Sequence, residues 1–267
     1  MTRVLRETRD QVMYLTIHGP DTMNSMTPES MSDFEAALDE AEASTDLRAV
    51  VITGTGDRAF SVGIDITFLG QRFGDPHGVF LPYLDRFHAV LRRFELLPVP
   101  VVAAVNGLAR AGGFEIILAA DLVVVADTAR VGDIHLEFGV PPGAGASQRA
   151  ARKLGDQRAK ALMLTSMWLD APTAVEWGLA LRHVPSAELG ASVEELLVRV
   201  RGLSRPGMAA TKLAIAAAQD RHVTDGLAYE REMFEKFLAR DDAAEGYLAF
   251  VEKRRPTWGD ADVRGLR

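Results

Sequence analysis

The chain contains no cysteine. Disulfides, thiolate zinc sites, iron–sulfur clusters and a cysteine nucleophile are excluded, and a reducing, cytoplasmic setting is the expectation. Lysine is scarce, with five residues beside 25 arginines. Positive charge as a whole is in deficit: 30 Lys and Arg face 37 Asp and Glu, for a formal net charge of −7. A nucleic-acid partner calls for a basic face, so none is expected. A small anion held by a few local cations is still compatible with this balance. Long apolar runs are missing too. The stretches 99–105 and 116–126, the second broken by Asp121, fall well short of the ~20 residues of a bilayer span. The first ten residues are charged and carry no apolar signal segment, so neither membrane nor export is expected.

What is present is ordinary globular material, 48% hydrophobic and 25% charged over 267 residues, enough for a sizeable core. Val4–Glu7 and Val12–Ile17 read as strands, with Met13, Leu15 and Ile17 alternating against Tyr14 and Thr16. Thr27 and Pro28 open a helix whose Met31, Phe34, Leu38 and Ala41 recur at helical spacing. Ala49–Thr53, Val101–Val105 and Leu122–Ala126 are short and apolar throughout, as strands buried on both faces are. Arg130–Gly132 reads as a further short strand. Residues 54–63 and 70–78 read as loops, Phe80–Leu97 as an amphipathic helix, and Gly112-Gly113 as the start of an apolar helix. From Pro172 onward nearly everything reads as helix, broken near Pro206. Strands alternating with helices, then helices alone, predict an α/β fold of parallel sheets covered by helices, with a helical C-terminal piece. The expected division is a core over residues 1–200 and a helical region over 201–267.

Several familiar motifs fail on context. GTGDRA at 54–59 matches a relaxed dinucleotide fingerprint, but no helix follows and no acidic residue ends a second strand. None of the four tyrosines has a lysine four residues on. Ser61 lies too far beyond its strand for a nucleophile elbow and reads as a loop serine. His135 and Glu137 have deaminase-like spacing without the cysteines to complete a zinc site.

Three glycine-bearing loops remain, each following a buried strand, where ligands bind in open α/β sheets. Gly112-Gly113 at a helix start leaves backbone N–H groups bare beside the positive helix end. Gly63-Ile64-Asp65 offers a second N–H. Two such donors on one oxygen make an oxyanion hole, and one donor is worth about 2.7–4 kcal/mol in a known case. The glycine pair taken alone also reads as a tight packing turn.

These loops carry a resemblance. AVVITGTGDRAFSVGIDI at 49–66 is similar to the first signature of the enoyl-CoA hydratase/isomerase (crotonase) superfamily. PVPVVAAVNG at 98–107 with AGGFE at 111–115 resembles the second, and GVPPGAGASQR at 139–149 the third. PDTMNSM at 20–26 and EGYLAFVEKR at 245–254 also fit, so the likeness runs from about Val4 to Arg254. It implies a crotonase-like spiral of ββα units with C-terminal helices that mediate homotrimers, often paired into hexamers. It implies an acyl-CoA thioester substrate, with coenzyme A arriving as part of that substrate and no separate cofactor or metal. By the resemblance, the thioester oxygen sits between the N–H groups of Ile64 and Gly112. Ser25, Val62, Asp65, Ile66 and Thr67 line the acyl-CoA path, and Lys253 reaches CoA phosphates, with Arg254 and Arg255 completing a basic patch.

The departures matter. Hydratases of the family use two glutamates. Glu115 matches the first, while the second falls on His135, which can still act as an acid or base. Glu137 is a substitute if the loop register shifts. Glu115 also reads as a carboxylate that merely complements a helix N-terminus, His135 as a structurally bonded loop histidine, and Glu230 as half of a surface salt bridge. Thr67 replaces a customary lysine, Ile64 an alanine, and Ala111 the first glycine of a common triple. Three functions therefore stay open. One is hydration or double-bond migration in an enoyl-CoA, with Glu115 and His135 as acid/base groups. Another is CoA-independent C–C cleavage of a β-diketone, since one subgroup has His at this position; its partner Asp in the third motif is Ala144 here. The last is acyl-CoA binding without catalysis.

Overall fold

The computed structural model describes residues 1–70, 74–259 and 263. The chain opens with an antiparallel hairpin of β1 (Arg3–Arg9) and β2 (Val12–His18). Its two turn residues, Asp10 and Gln11, both have positive φ, as a two-residue hairpin turn requires. In α1 (Pro28–Ala43), Thr27 Oγ1 accepts from the Ser30 N–H and Ser30 Oγ accepts from the Thr27 N–H, a reciprocal cap. Met31, Phe34, Leu38 and Ala41 are all buried, on the stripe their spacing predicts.

One unit then recurs. A buried strand enters a large sheet, a three-residue strand enters a second sheet, and a helix returns the chain. The first pass is β3 (Ala49–Gly54), β4 (Ala59–Ser61), α2 (Ile66–Gly70) and α3 (Leu81–Leu96). The second is β5 (Val101–Val105), β6 (Leu108–Arg110) and α4 (Gly112–Ala119). The third is β7 (Leu122–Ala126), β8 (Arg130–Gly132), a single 3-10 turn at His135–Phe138 and α5 (Ala146–Leu154). Then come α6 (Asp156–Leu164), β9 (Leu169–Asp170), α7 (Ala171–Glu176), β10 (Arg182–Val184) and α8 (Leu189–Arg201). The chain ends in α9 (Arg205–Ala217), α10 (Val223–Leu238) and α11 (Asp241–Val251). The large sheet runs β1-β2-β3-β5-β7-β10 and the small one β4-β6-β8-β9. All pairings are parallel except β1 with β2 and β8 with β9, one at an edge of each sheet. This is the expected crotonase-like spiral.

Three details differ from the sequence reading. The expected loop 54–63 contains β4, and the turn at Asn106 and Gly107 leads into β6; three residues are too few to show a period. Ser61 is therefore a fully buried strand residue, not a loop serine. β10 interrupts the helical region after Pro172. The break expected near Pro206 is present: α8 ends at Arg201, and Pro206 sits in the first turn of α9, which Ser204 caps by accepting from the Gly207 N–H. Of the stretch 70–78, residues 71–73 lie outside the described residues, and Pro76–Phe80 forms one wide helical turn.

The strands β3, β5 and β7 form the centre of the core, and every residue of β5 is buried. α8 lies across them. α9 is bound to the core by polar anchors. Arg205 is buried, its Nε donating to Leu47 O and its Nη2 to Ser44 O. Lys212 Nζ pairs with Asp121 at 2.6 Å and donates to the carbonyls of Phe94 and Val99. Beyond it, α10 and α11 leave Leu227, Phe234, Leu238, Tyr247 and Phe250 exposed. Among the described residues no helix is long and apolar enough to cross a membrane.

Candidate active site

The site forms where the loops after β4, β6 and β8 meet. Gly112 is the first residue of α4, so its N–H has no acceptor within the helix. The loop after β4 lies against it: a Cβ built on Gly63 would come 2.8 Å from Gly112 N and 3.1 Å from Ala111 Cβ. Gly63 has φ 88°, a backbone region that side chains disfavour. Met26 bridges this loop, its N–H donating to Gly63 O and its O accepting from the Asp65 N–H. That bridge uses the groups flanking Ile64 and leaves the Ile64 N–H without an acceptor among the described residues. The two N–H groups singled out in the sequence thus lie on adjoining loops.

Buried polar side chains brace this arrangement. Ser61 Oγ donates to Asn24 O and accepts from the Gly63 N–H. Asn24 Nδ2 donates to Thr55 O and Ala59 O, and Asn106 Nδ2 to Gly54 O, Gly56 O and Ala59 O. Gly113 is required by close approach, since a Cβ there would stand 2.2 Å from Ser61 O. Neither asparagine announces itself in the sequence, because each braces a loop more than thirty residues away.

Glu115, on the first turn of α4, is 1% exposed. Its Oε1 accepts from the Ala144 N–H at 2.8 Å and the Ala146 N–H at 3.2 Å. Burial pushes its carboxyl up to about 7, against the downward pull of His135 and of those two N–H groups. The loop that supplies them is held from α3 and α5: His88 Nε2 bonds Gly143 O, and Arg149, paired with Glu95, donates to Ala144 O. His135 lies half-buried on the turn after β8, its Nδ1 3.1 Å from Asp133 Oδ1. Burial draws the imidazole down, but the Asp133 hydrogen bond and charge and the Glu115 charge outweigh it, and the net shift is upward. Asp133 is the acidic residue that the sequence reading passed over. Glu137 points to solvent on the same turn and joins none of these contacts.

The remaining expected residues are distributed as follows. Ser25 is buried and donates to Asp65 Oδ2, while Asp65 Oδ1 accepts from the Phe68 N–H and caps α2. Val62 is half-buried; Ile66 and Thr67 are exposed on the first turn of α2. Lys253 is exposed just past α11 at φ 55°, and no hydrogen bond or ion pair joins it to the loops above. Arg254 is engaged by Glu245 and Glu252, which removes it from the proposed basic patch. Glu230 is exposed and makes no ion pair among the described residues, contrary to the salt bridge expected of it.

Ala111 stores backbone strain. It has φ 47° and ψ −119°, a conformation suited to glycine. Its N–H is shared between Gly132 O and Asp133 O, each at 3.2 Å, which holds it there. Such strain costs on the order of 1–3 kcal/mol, more than the ~0.4–1 kcal/mol of extra unfolded-state entropy that glycine brings. Ala111→Gly is therefore expected to raise stability by about 1 kcal/mol, read from the denaturant midpoint at unchanged m-value.

Residues 7–261 match the enoyl-CoA hydratase/isomerase family. The chain is 32% identical over 254 residues to "Probable enoyl-CoA hydratase echA8" of Mycobacterium bovis, covering 95% of this chain and 96% of that one. It is 30% identical over 262 residues to the short-chain-enoyl-CoA hydratase of Clostridium acetobutylicum, covering 96% and 97%. The crystal structure of an enoyl-CoA hydratase from Bacillus anthracis superposes with a TM-score of 0.91 at 28% identity, over 97% of this chain and 100% of that one. With near-complete coverage in sequence and in fold, the chain belongs to the enoyl-CoA hydratase/isomerase family.

Proposed function

We propose that the chain hydrates a 2-enoyl-CoA or shifts its double bond, with the thioester oxygen held by the N–H groups of Ile64 and Gly112. The observation that carries this reading is convergence. Two unengaged N–H groups on adjoining loops stand beside a buried carboxyl held near neutral pH and an imidazole that interacts with it electrostatically. In hydration, water oxygen bonds to C3 as one of its protons passes to one member of the Glu115–His135 pair. The C2=C3 π pair shifts to form C1=C2 and the carbonyl π pair moves onto the thioester oxygen, where the two N–H groups stabilise the enolate. The enolate then takes a proton at C2 from the other member. Isomerisation uses the same enolate, with the pair removing a proton from one carbon and returning it to another. A carboxyl raised to about 7 beside an imidazole suits both directions of transfer.

Ser25, Val62, Asp65, Ile66 and Thr67 are proposed to flank the acyl-CoA, and Lys253 to meet its phosphates. Coenzyme A enters with the substrate, and no separate cofactor is invoked. A homotrimer, or a hexamer of two trimers, is proposed as the assembly in a cytoplasmic setting. The exposed apolar side chains of α10 and α11 support it, Phe250 being 84% exposed in the single chain, as a self-association surface would be.

One observation favours a second reading. The absent Asp of the third motif, Ala144, had counted against β-diketone cleavage, yet Asp133 supplies His135 with a carboxylate from another position. Purified protein should be offered a panel of 2-enoyl-CoA thioesters of varied chain length and a set of cyclic β-diketones. Enoyl-CoA turnover is the expected result. Cleavage of a diketone alone establishes the second reading. Acyl-CoA binding without turnover leaves a non-catalytic binder, and neither binding nor turnover removes the proposal.

A further inference from the structure

Asp133 is fully buried, and among the described residues the imidazole of His135 is the partner of its side chain; Oδ2 has none. A carboxylate buried in this way is costly unless a donor or a positive charge faces it. The backbone between the two residues is itself unusual. Ile134 has φ 46° and ψ 12°, a left-handed conformation that is a genuine outlier for a β-branched side chain. Ile134 is buried, and the surrounding structure holds it in place. Such outliers persist where the local geometry serves a site. The same strand end is tied to the site from the other side: the Ala111 N–H, one residue before Gly112, donates to Gly132 O and Asp133 O. The Asp133–His135 pair and the Gly112 donor therefore share one fixed backbone contact.

We propose that Asp133 is a positioning residue that holds the Nδ1–H of His135, so that Nε2 is the nitrogen that gains and loses the working proton. An ionised carboxylate only accepts hydrogen bonds, so Nδ1 carries hydrogen whether the ring is neutral or charged. Nε2 lies on the opposite edge of the ring and is the remaining titrating atom. This inference rests on the acid/base role proposed for His135 but can be read without it. The titratable groups acting on His135 are Asp133, at the end of β8, and Glu115, on α4. Glu137 on its own turn is exposed, and among the described residues no charged group of α6, which packs against this turn, acts on it.

The test is nitrogen-15 NMR of the imidazoles in the intact protein, with the His135 signals assigned among the six histidines by their loss in His135→Gln. The expected neutral form carries its proton on Nδ1. In Asp133→Asn the ring is expected to lose that preference, and its midpoint to fall by about one pH unit or more. The lower limb of the pH–rate profile should move with it, and kcat should fall on the order of 10²-fold with KM little changed. A wild-type neutral ring protonated on Nε2 overturns the proposal, with no variant of Asp133 needed. So does an Asp133→Asn protein whose His135 tautomer and midpoint are unchanged. If the Nδ1–H form is found but no enoyl-CoA turns over, the positioning role stands and the proposed function fails.

Discussion

Gly63→Ala is expected to lower kcat/KM about 10²–10³-fold, the loss that follows removal of one oxyanion donor. Two effects meet at this residue. Its φ of 88° lies where an L side chain is strained, at a cost of roughly 1–2 kcal/mol. The added methyl would also stand 2.8 Å from Gly112 N, so it must displace the donor that the thioester oxygen has to reach at ~2.7–3.1 Å. The first effect lowers stability, and the second blocks chemistry. Gly56 separates them. It has a similar φ of 81°, yet a Cβ there would meet nothing within 4 Å. Gly56→Ala is expected to lose stability through its φ alone, less than Gly63→Ala, and to keep its turnover. Steady-state kinetics and denaturant titration of both variants decide the matter. Equal turnover in the two would place the oxyanion elsewhere.

Much of this site could be read before the fold was known, and the reasons are local. A cap, a buried strand or a helix start is decided by residues within a few positions of one another. Thr27 with Pro28, the apolar run Val101–Val105 and the Gly112-Gly113 pair are of that kind. Glu115 follows because a position on the first turn of α4 is fixed by where α4 begins. Other parts depend on distant groups. Burial raises the carboxyl of Glu115 to about 7, and the 143–146 loop that bonds it is held by His88 and Arg149; no spacing in the sequence reports either contact. The strands β4 and β6 exist through pairing with each other, not through a pattern of their own. Asp133 meets His135 across Ile134 in a conformation that no propensity rule assigns to isoleucine. Arg254 read as a free cation beside Lys253, but Glu245, nine residues earlier, bonds it through both oxygens.

Glu115→Gln is expected to exchange turnover for stability. Loss of a general acid or base costs about 10²–10⁴ in rate, and glutamine cannot move a proton. It can still accept the N–H groups of Ala144 and Ala146, so the fold should hold. The stability change follows from linkage. An unfolded glutamate titrates near 4.5, and Glu115 in the fold is raised to about 7. The folded chain therefore binds this proton more tightly. Its contribution to stability is greatest when both states are protonated, below about 4.5, and declines as pH rises through 7. Above that window the ionised, buried carboxyl costs on the order of 3 kcal/mol, from 2.5 pH units at 1.36 kcal/mol each. His135 acts in the same direction. Its folded pKa is raised, so its contribution is full below the unfolded value near 6.5 and is lost as pH rises through the folded one. Wild-type stability should thus fall across neutral pH, and Glu115→Gln should flatten much of that fall. Urea titrations at about pH 5 and about pH 9 are the measurement. The variant should be close to wild type in acid and more stable in base, while turning over poorly at both. A carboxylate that only complemented the positive end of α4 would behave in the opposite way. Its removal would lower stability in base and leave turnover alone, so the two readouts together decide whether Glu115 is held for chemistry or for the helix.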